Sequence, residues 1–403
     1  MDPLARAQGL LQLERARADW LELDGLRVPR LTAELWTARQ RQANSLHEVS
    51  YRACFKPQLP RFFIERLTRP GDLVYDPFAG RGTTALEAAL LDRVSAQNDV
   101  NPLSALLARP RLNPPDAQAV ADRLLQIETD YSARADHDIS MFFHPRTEAE
   151  IVSLRRYLTA RAASGAEDSV DRWIRMVATN RLTGHSPGFF SVYSLPPNQA
   201  VSAERQRKIN RDRGQQPPVR DVRALVLKKT RALLKDVTDG VRQQLLGPGP
   251  HATFLTGDAA ATPELMDGSV HLTVTSPPFL DVVQYARDNW LRAWFNNIDP
   301  EVMAAGISMA RTVAEWSGQM LSVLAELSRV TRAGGWVAFE VGDIRAGAVR
   351  LDETIAPLGP RVGLAPVCVL INDQTFTKTA NIWGVGNNAR GTNSNRIVVF
   401  QKR

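Results

Sequence analysis

Short apolar segments rich in β-branched residues alternate with longer amphipathic segments along most of the chain. Seven of the short segments have the composition of buried strands, and they span residues 73–75, 94–97, 253–255, 270–274, 336–341, 367–371 and 397–400. Segments such as 83–91 and 316–330 have a helical pattern. The alternation predicts an α/β fold with a doubly wound, mostly parallel seven-stranded sheet. No convincing helix separates the last two strands, so we expect them to pair antiparallel.

The central part of the chain interrupts this alternation. Residues 113–250 contain helical patterns and a basic stretch but no convincing series of strands. Pro114 and Pro115 lie at the start of this block, and Gly247 to Pro250 lie at its end. The sequence therefore predicts a large, mainly helical insertion (113–250) between the two parts of one sheet domain (1–112 and 251–403).

Two consecutive prolines follow the strand-like segment 270–274. The sequence there is Thr-Ser-Pro-Pro-Phe, residues 275–279. Proline has a fixed φ and no amide hydrogen, so it cannot extend a central strand. The segment predicts a rigid feature at the carboxyl end of a strand.

A glycine-containing loop follows the first predicted strand. It reads Asp-Pro-Phe-Ala-Gly-Arg-Gly-Thr-Thr over residues 76–84 and leads into a helical pattern. Glycines at such a turn let a ligand approach the backbone, which favours a nucleotide-like cofactor, although a plain turn or a dinucleotide site also fits. Asp76 would repel a pyrophosphate and attract a cationic cofactor. Asp99, after the second predicted strand, is suited to bind ribose hydroxyls.

Together the 76–84 and 275–279 motifs resemble the DNA amino-methyltransferase family, whose members use S-adenosylmethionine to methylate cytosine N4 or adenine N6. The resemblance implies a Rossmann-like methyltransferase fold and covers roughly residues 50–104 and 253–403. The motif order, with the insertion between the Asp99 and Asp258 segments, departs from the arrangements commonly described for the family. The cofactor-binding residues implied by the resemblance are Phe55, Lys56, Asp76, Phe78, Ala79, Gly80, Gly82, Thr83, Asp99 and Asp258.

The same resemblance makes residues 276–279 the catalytic segment. An exocyclic amine is a poor nucleophile until hydrogen-bond acceptors engage its hydrogens, and Ser276 Oγ and the Pro277 carbonyl can be those acceptors. Pro278 keeps the segment rigid, and Phe279 offers a face on which a flipped base can stack. Neither cysteine of the chain follows a proline, which argues against the thiolate chemistry of cytosine C5 methylation.

Positive charge is concentrated in the insertion. The chain has a net charge of +7, and residues 201–236 hold eleven Lys and Arg against four Asp and Glu. Such a cluster suits phosphate contacts and predicts double-stranded DNA as a partner. The candidate DNA-binding residues are Arg205, Arg207, Lys208, Arg211, Arg213, Lys228, Lys229 and, near the end of the chain, Arg390. The aromatic loop 184–193 could contact bases, but an anchor to the core is the favoured interpretation.

Several alternatives stay open from the sequence. Ser276 as the first residue of its motif favours cytosine N4, with adenine N6 or an RNA base as the next choices. An NAD-dependent oxidoreductase or a non-catalytic nucleic-acid-binding module would leave the 276–279 motif unexplained. No signal peptide, membrane span or metal-ligand spacing is recognised. We therefore expect a cytoplasmic protein without a bound metal. If it belongs to a restriction-modification system, the cognate restriction enzyme would act separately.

Overall fold

A nine-stranded mixed sheet forms the centre of the protein. The computed structural model describes residues 2–23, 25–36, 43–51, 54–195, 200–278, 289–299, 310–344, 349–373 and 394–403. The strands are β1 Arg17–Leu23, β2 Leu26–Ala33, β3 Leu73–Asp76, β4 Val94–Asn98, β5 Thr253–Leu255, β6 Val270–Thr275, β7 Thr331–Val341, β8 Asp343–Ile344, β9 Val349–Arg350, β10 Leu364–Asp373 and β11 Ser394–Lys402. The order in the large sheet is β1-β2-β10-β11-β7-β6-β3-β4-β5, and β8 and β9 pair separately.

Helices connect these strands and fill the insertion. They are α1 Pro3–Leu11, α2 Gln58–Leu67, α3 Thr83–Leu90, α4 Leu103–Leu112, α5 Ala117–Gln126, α6 Pro145–Ala163, α7 Ser169–Arg181, α8 Ala203–Arg213, α9 Val222–Leu233, α10 Asp239–Leu246, α11 Trp290–Phe295, α12 Val313–Val330 and α13 Leu351–Ile355. Short 3₁₀ helices occupy Ser45–His47, Gly249–His251 and Gly359–Val362. In the described part of the chain, no helix is both long and apolar enough to cross a membrane.

All seven predicted strands are present, but the predicted number of seven is wrong. The N-terminal hairpin β1-β2 adds two strands, and β2 pairs in parallel with β10. Strands β5-β4-β3-β6-β7 are all parallel, and β11 runs antiparallel to both β7 and β10, as expected for the last pair. The strand order gives a doubly wound, Rossmann-like α/β fold.

Helices cover both faces of the sheet. Neighbouring residues of each strand point to opposite sides, so each strand contributes side chains to two apolar layers. On one face, Val74 and Val274 pack with residues of α1, α2 and α3. On the other face, Tyr75 and Phe339 pack with residues of α12 and α13. Strands buried on both faces read as continuous apolar runs, which is why their positions were readable in the sequence.

The insertion between β4 and β5 is helical, as predicted. Within 113–195 and 200–250 it contains helices α5 to α10 and a single β-bridge between Gly184 and Tyr193. Its helices share a separate apolar core with α3, α4, α11 and the segment before α2. The insertion therefore packs beside the end of the sheet that carries β4 and β5.

Parallel pairing fixes the location of the candidate site. The carboxyl ends of β3, β4, β6 and β7 meet at one edge of the sheet, where ligands bind in open α/β sheets. Residues 76–84 follow β3, Asp99 follows β4 and Ser276 follows β6. The two sequence motifs, almost two hundred residues apart in the chain, are thus brought to adjacent strand ends.

Candidate active site

Asp76 joins the two motifs directly. Its Oδ1 accepts hydrogen bonds from Thr275 Oγ1 at 2.7 Å and from the Phe78 amide at 3.1 Å. Its Oδ2 accepts from Thr84 Oγ1 at 2.8 Å, and that hydroxyl also lies 3.2 Å from the Val274 carbonyl. The glycine loop is therefore fastened to the end of β6, immediately before the Ser-Pro-Pro segment.

The Asp76 carboxyl is almost completely buried, with 1% of the residue exposed. Burial raises its pKa to about 6, because desolvation of the charge outweighs the three hydrogen bonds that favour it. So little exposed surface leaves almost nothing for a ligand to touch. The Asp76 side chain, which the resemblance places at the cofactor, instead holds the glycine loop in position from the protein interior.

Two glycines of the loop adopt left-handed backbone conformations. Gly80 has φ +53° and Gly82 has φ +73°, a region that residues with a Cβ rarely occupy. A Cβ added at Gly82 would lie 2.4 Å from the Cβ of Ala108 on α4, so this position requires glycine for packing as well. At Gly80 the nearest atom to such a Cβ would be a Tyr51 ring carbon at 3.5 Å.

Asp99 supports the loop from the neighbouring strand. Its Oδ2 accepts a hydrogen bond from the Gly80 amide at 2.7 Å, and its Oδ1 accepts one from the Asn101 amide at 2.9 Å. The residue is half-buried, and desolvation raises its pKa to about 6. Each carboxylate oxygen has a further lone pair, so Asp99 can still accept hydrogen bonds from two ligand hydroxyls.

The segment before α2 packs against the same loop. Arg81 Nη1 donates to the carbonyls of His47 and Val49, at 3.0 Å each, and so ties the loop to this segment. Tyr51 Oη accepts a hydrogen bond from Asn101 Nδ2 at 3.0 Å, which places the Tyr51 ring beside Gly80. The chain continues into half-buried Phe55 and Lys56. The structure thus places residues 47–51, which precede the predicted cofactor residues Phe55 and Lys56, next to the glycine loop.

The remaining candidate cofactor residues differ in exposure. Phe78 is half-buried, and Asp258, after β5, is exposed. Ala79 and Thr83 are buried, and Thr83 Oγ1 accepts a hydrogen bond from Arg81 Nε at 3.2 Å. Asn98 Nδ2 donates to the Gly257 carbonyl at 2.9 Å, which joins the strand ends that carry Asp99 and Asp258. Half-buried Phe78 and Asp99 and exposed Asp258 follow the neighbouring strands β3, β4 and β5 at one edge of the sheet.

The Ser-Pro-Pro segment is anchored by a residue that the sequence reasoning missed. Ser276 is half-buried, Pro277 is buried and Pro278 is exposed. Trp316 on α12, with 2% of its surface exposed, donates its indole N–H to the Pro278 carbonyl at 3.0 Å. Since prolines cannot donate backbone hydrogen bonds, this carbonyl contact fixes the segment. Phe279 lies outside the described residues.

A second missed residue, Glu340, borders Ser276. Glu340 lies on β7 with 7% of its surface exposed, and its carboxylate accepts a hydrogen bond from Asn395 Nδ2 at 2.5 Å. Burial raises its pKa, although interactions with Ser276 and Asn395 oppose that shift. A charged residue within the apolar strand sequence Val-Ala-Phe-Glu-Val was the signal that could have identified it.

The basic cluster of the insertion is largely exposed. The exposed candidates are Arg205, Arg207, Lys208, Arg211 and Arg213 on α8 and Lys228 on α9. Two of them form surface ion pairs, Arg207 with Asp138 and Lys208 with Asp212. Lys229 differs from the prediction, because its side chain is 13% exposed and paired with Glu48 at 3.6 Å. Arg390 lies outside the described residues.

The aromatic loop 184–193 is anchored to the core, as favoured from the sequence. Phe189 and Phe190 are buried, with 5% and 0% of their surfaces exposed. Arg181 stacks over the Phe189 ring at 4.0 Å and Arg213 over the half-buried Tyr193 ring at 3.9 Å.

Within the described residues, no cluster of three His, Cys, Asp or Glu could hold a metal ion.

Comparisons with known proteins support the resemblance. A family model described as DNA methylase matches residues 23–102. The Type II methyltransferase M.MjaII of Methanocaldococcus jannaschii is 30% identical over 112 residues, which are 28% of this chain and 21% of that protein. The chain therefore matches about a fifth of the length of this curated relative.

Solved structures are more distantly similar. A DNA modification methylase of Thermus thermophilus is 22% identical over 36% of this chain and 50% of its own, with a TM-score of 0.22. Geranyl diphosphate C-methyltransferase of Streptomyces coelicolor A3(2) is 8% identical, with 85% and 75% of the chains covered and a TM-score of 0.35. Because these TM-scores are low, the fold of this chain is assigned from its own strand order alone.

The site has two halves, an acidic glycine loop and a rigid Ser-Pro-Pro segment at adjacent strand ends. The match of residues 23–102 to the DNA methylase family model and the similarity to a Type II methyltransferase support the resemblance drawn from the two motifs.

Proposed function

We propose that this protein transfers a methyl group from S-adenosylmethionine to the exocyclic amine of a flipped base in double-stranded DNA, with cytosine N4 as the target. The observation that carries the proposal is the 2.7 Å hydrogen bond from Thr275 to Asp76. It joins the loop suited to the cofactor to the segment suited to the base. A methyl donor and an acceptor amine held at these two places are immediate neighbours.

The charge of the loop favours this cofactor over a dinucleotide. Asp76 and Asp99 lie at adjacent strand ends, and their mutual repulsion contributes to the raised pKa of Asp76. Such a site would repel a pyrophosphate, whereas the sulfonium and ammonium groups of S-adenosylmethionine would stabilise both carboxylates. When bound, the cofactor supplies an electrophilic methyl group. Asp99 would hold its ribose, and exposed Asp258 would lie at the adenine.

The Ser-Pro-Pro segment would activate the amine. Ser276 Oγ and the Pro277 carbonyl accept hydrogen bonds from the amine hydrogens, which makes the nitrogen more tetrahedral and more nucleophilic. Trp316 holds the Pro278 carbonyl, so the acceptors keep a fixed position. Phe279 stacks on the base and offsets part of the unstacking cost, which is about a few kcal/mol.

The insertion would hold the DNA and form the target-recognition region. The exposed cations of α8 and α9 provide a basic surface for phosphates. In the described residues, Arg205, Arg211 and Lys228 form no ion pair with an acidic side chain, so their charges are available to a polyanion. A separate restriction enzyme with the same target sequence would be a functional partner acting independently.

The test is to incubate the protein with methyl donor and DNA of mixed sequence and to identify the methylated nucleosides by mass spectrometry. N4-methylcytosine is the expected product. N6-methyladenine would refute the base assignment, 5-methylcytosine would refute the mechanism, and methylation of RNA alone would refute the substrate. Calorimetric titration should detect S-adenosylmethionine binding and no NAD binding.

Matched serine variants test the catalytic segment. Ser276→Ala should lower kcat by about 100-fold or more, the scale for losing one transition-state hydrogen bond. Ser269→Ala is the control, because Ser269 precedes the amino end of the same strand and its hydroxyl contacts only the Met266 carbonyl among the described residues. Equal activity in the two variants would remove Ser276 from the mechanism.

A further inference from the structure

Helix α8 is attached to the rest of the insertion through polar contacts. Gln206 is the one buried residue among the eleven of this helix. Its Nε2 donates to the Tyr193 carbonyl at 3.0 Å and to Asn210 Oδ1 at 2.8 Å. Gln215, just after the helix, donates to the same two oxygens at 3.0 Å and 2.9 Å. The anchor of α8 is therefore a cluster of three amide side chains at the end of the aromatic loop 184–193.

The same cluster fixes the rotation of α8 about its axis. Asn210 Nδ2 donates to the Met141 carbonyl at 2.8 Å. The Arg213 guanidinium lies 3.9 Å from the centre of the Tyr193 ring. Positions 206, 210 and 213 share one side of the helix, because successive residues turn by about 100°. These contacts define the inner face of α8.

Two residues of opposite charge occupy the outer face. Glu204 and Lys208 are one turn apart, each lies about 160° around the axis from Gln206, and both are exposed. Lys208 contacts Asp212 at 3.2 Å in an exposed ion pair, which contributes little stability. In the described part of the chain, Glu204 forms no ion pair. An acid and a base thus share the most outward stripe of the helix.

Exposed arginines flank this stripe on both sides. Arg205 lies on one side and Arg207 and Arg211 on the other, because two residues of separation correspond to about 200° around a helix axis. Arg207 pairs with Asp138 at the surface, a contact that a phosphate can replace. A helix lying flat on phosphates uses the cations of one side only. Cations on opposite sides reach two rows of phosphates together when the helix lies between the rows, as in a groove of a duplex.

The dimensions and the acid both favour the major groove of DNA. An α-helix with its side chains is about 10–12 Å across, and this groove is about 12 Å wide. Phosphates would repel Glu204, whereas at the base edges its carboxylate can accept a hydrogen bond from cytosine N4. Lys208 can donate to guanine O6 and N7. The two outermost side chains therefore match the two bases of G·C pairs.

We propose that α8 lies in the major groove of double-stranded DNA, where Glu204 and Lys208 read G·C base pairs. The flanking arginines contact phosphates on both sides of the groove. The amide cluster sets the rotation of α8 and so determines which side chains face the bases. The inference rests on the proposed function and names the element that determines its sequence specificity.

The main test compares the sequence preferences of Glu204→Gln and Arg205→Gln. Bound duplexes are selected from a random-sequence DNA library, which requires no methyl transfer. Glu204→Gln should lose about 10-fold or more of the discrimination at a C·G pair, because a glutamine amide donates as well as accepts. Arg205→Gln should keep the preferred sequence and bind all duplexes more weakly. An unchanged preferred sequence in both Glu204→Gln and Lys208→Gln would overturn the inference.

Asn210→Ala tests the anchor without changing any charge. Discrimination between duplexes should fall by about 5-fold or more, since one base contact is worth about 1–3 kcal/mol and depends on the rotation of α8. The slope of log K against log salt should stay that of the wild type, because no cation is lost. Gln118→Ala, an exposed amide on α5 that contacts Asp122, is the control. Wild-type discrimination in Asn210→Ala would exclude the cluster from positioning α8.

RNA duplexes distinguish groove reading from a general attraction to phosphates. The major groove of A-form RNA is too deep and narrow for side chains to read, so selection from random RNA duplexes should yield no preferred sequence. A preferred RNA sequence would contradict the inference. If the protein selects a DNA sequence but methylates no DNA, the proposed function fails and the inference stands. If it methylates DNA without sequence preference, the function stands and the inference fails.

Discussion

Replacing Asp76 by Asn separates the structural role of this residue from its charge. The asparagine can keep the hydrogen bonds, because its Oδ1 can still accept from Thr275 and the Phe78 amide. Its Nδ2 then takes the place of Oδ2 and donates to Thr84 Oγ1. Thr84 in turn can donate to the Val274 carbonyl, which already lies 3.2 Å away.

The magnitude follows from the raised pKa of Asp76. The pKa is about 6 in the folded protein against an ordinary value of 3.8, so between these pH values the folded state holds a proton that the unfolded state has released. Stability therefore falls as pH rises through this window, by about 3 kcal/mol at about 1.4 kcal/mol per pKa unit, and stays lower above it. Asparagine has no such penalty.

The measurement is urea denaturation of wild type and Asp76→Asn at pH 4 and pH 8. Relative to the wild type, the free energy of unfolding of the variant should rise by about 2.5 kcal/mol between pH 4 and pH 8, because a small part of the change already occurs below pH 4. Its affinity for S-adenosylmethionine should fall about ten-fold, because one charge near a cation is worth about 1–2 kcal/mol at an effective dielectric constant of about 20.

Two results would refute this reasoning. A stability difference independent of pH would mean that Asp76 titrates normally and is not a buried, costly charge. Unchanged cofactor affinity in a well-folded variant would mean that the charge of Asp76 does not act on the cofactor.

Three other changes test the loop, the Ser-Pro-Pro anchor and the DNA surface. Gly82→Ala should destabilise the protein by about 2 kcal/mol or more, because φ is +73° and the new Cβ would meet Ala108. Thermal unfolding measures this loss, and normal stability would contradict the close packing. Trp316→Phe should lower kcat about five-fold through loss of one hydrogen bond, with cofactor affinity unchanged. Arg205→Gln with Arg211→Gln should reduce the slope of log K for DNA against log salt by about 2. An unchanged slope would exclude α8 from the DNA contact.

The strands and the two halves of the site were predictable because their signals are local. Strands 270–274 and 397–400 are short apolar runs, and the glycine loop and Ser-Pro-Pro segment are contiguous motifs. Topology then follows from parallel pairing, which places successive strand ends at one edge. The sequence therefore predicted which motifs meet.

The rest depended on contacts between distant residues. The hairpin β1-β2 reads as polar, with exposed residues such as Arg17 and Glu22, and becomes part of the sheet only by pairing with β10. The direction of the Asp76 carboxylate is set by Thr275, which is 199 residues away. No local pattern specifies such a partner, so the same Asp is compatible with a ligand contact and with a buried anchor.

The end of β6 carries two consecutive hydroxyl residues beside two different neighbouring strands. Thr275 donates to Asp76 at the end of β3, and the register of β6 with β7 places Ser276 beside buried Glu340. The Thr275 bond fixes the loop suited to the methyl donor, and Ser276 is the acceptor suited to the amine. Because both residues belong to one rigid strand end, the two reactants would be positioned relative to each other by β6 itself.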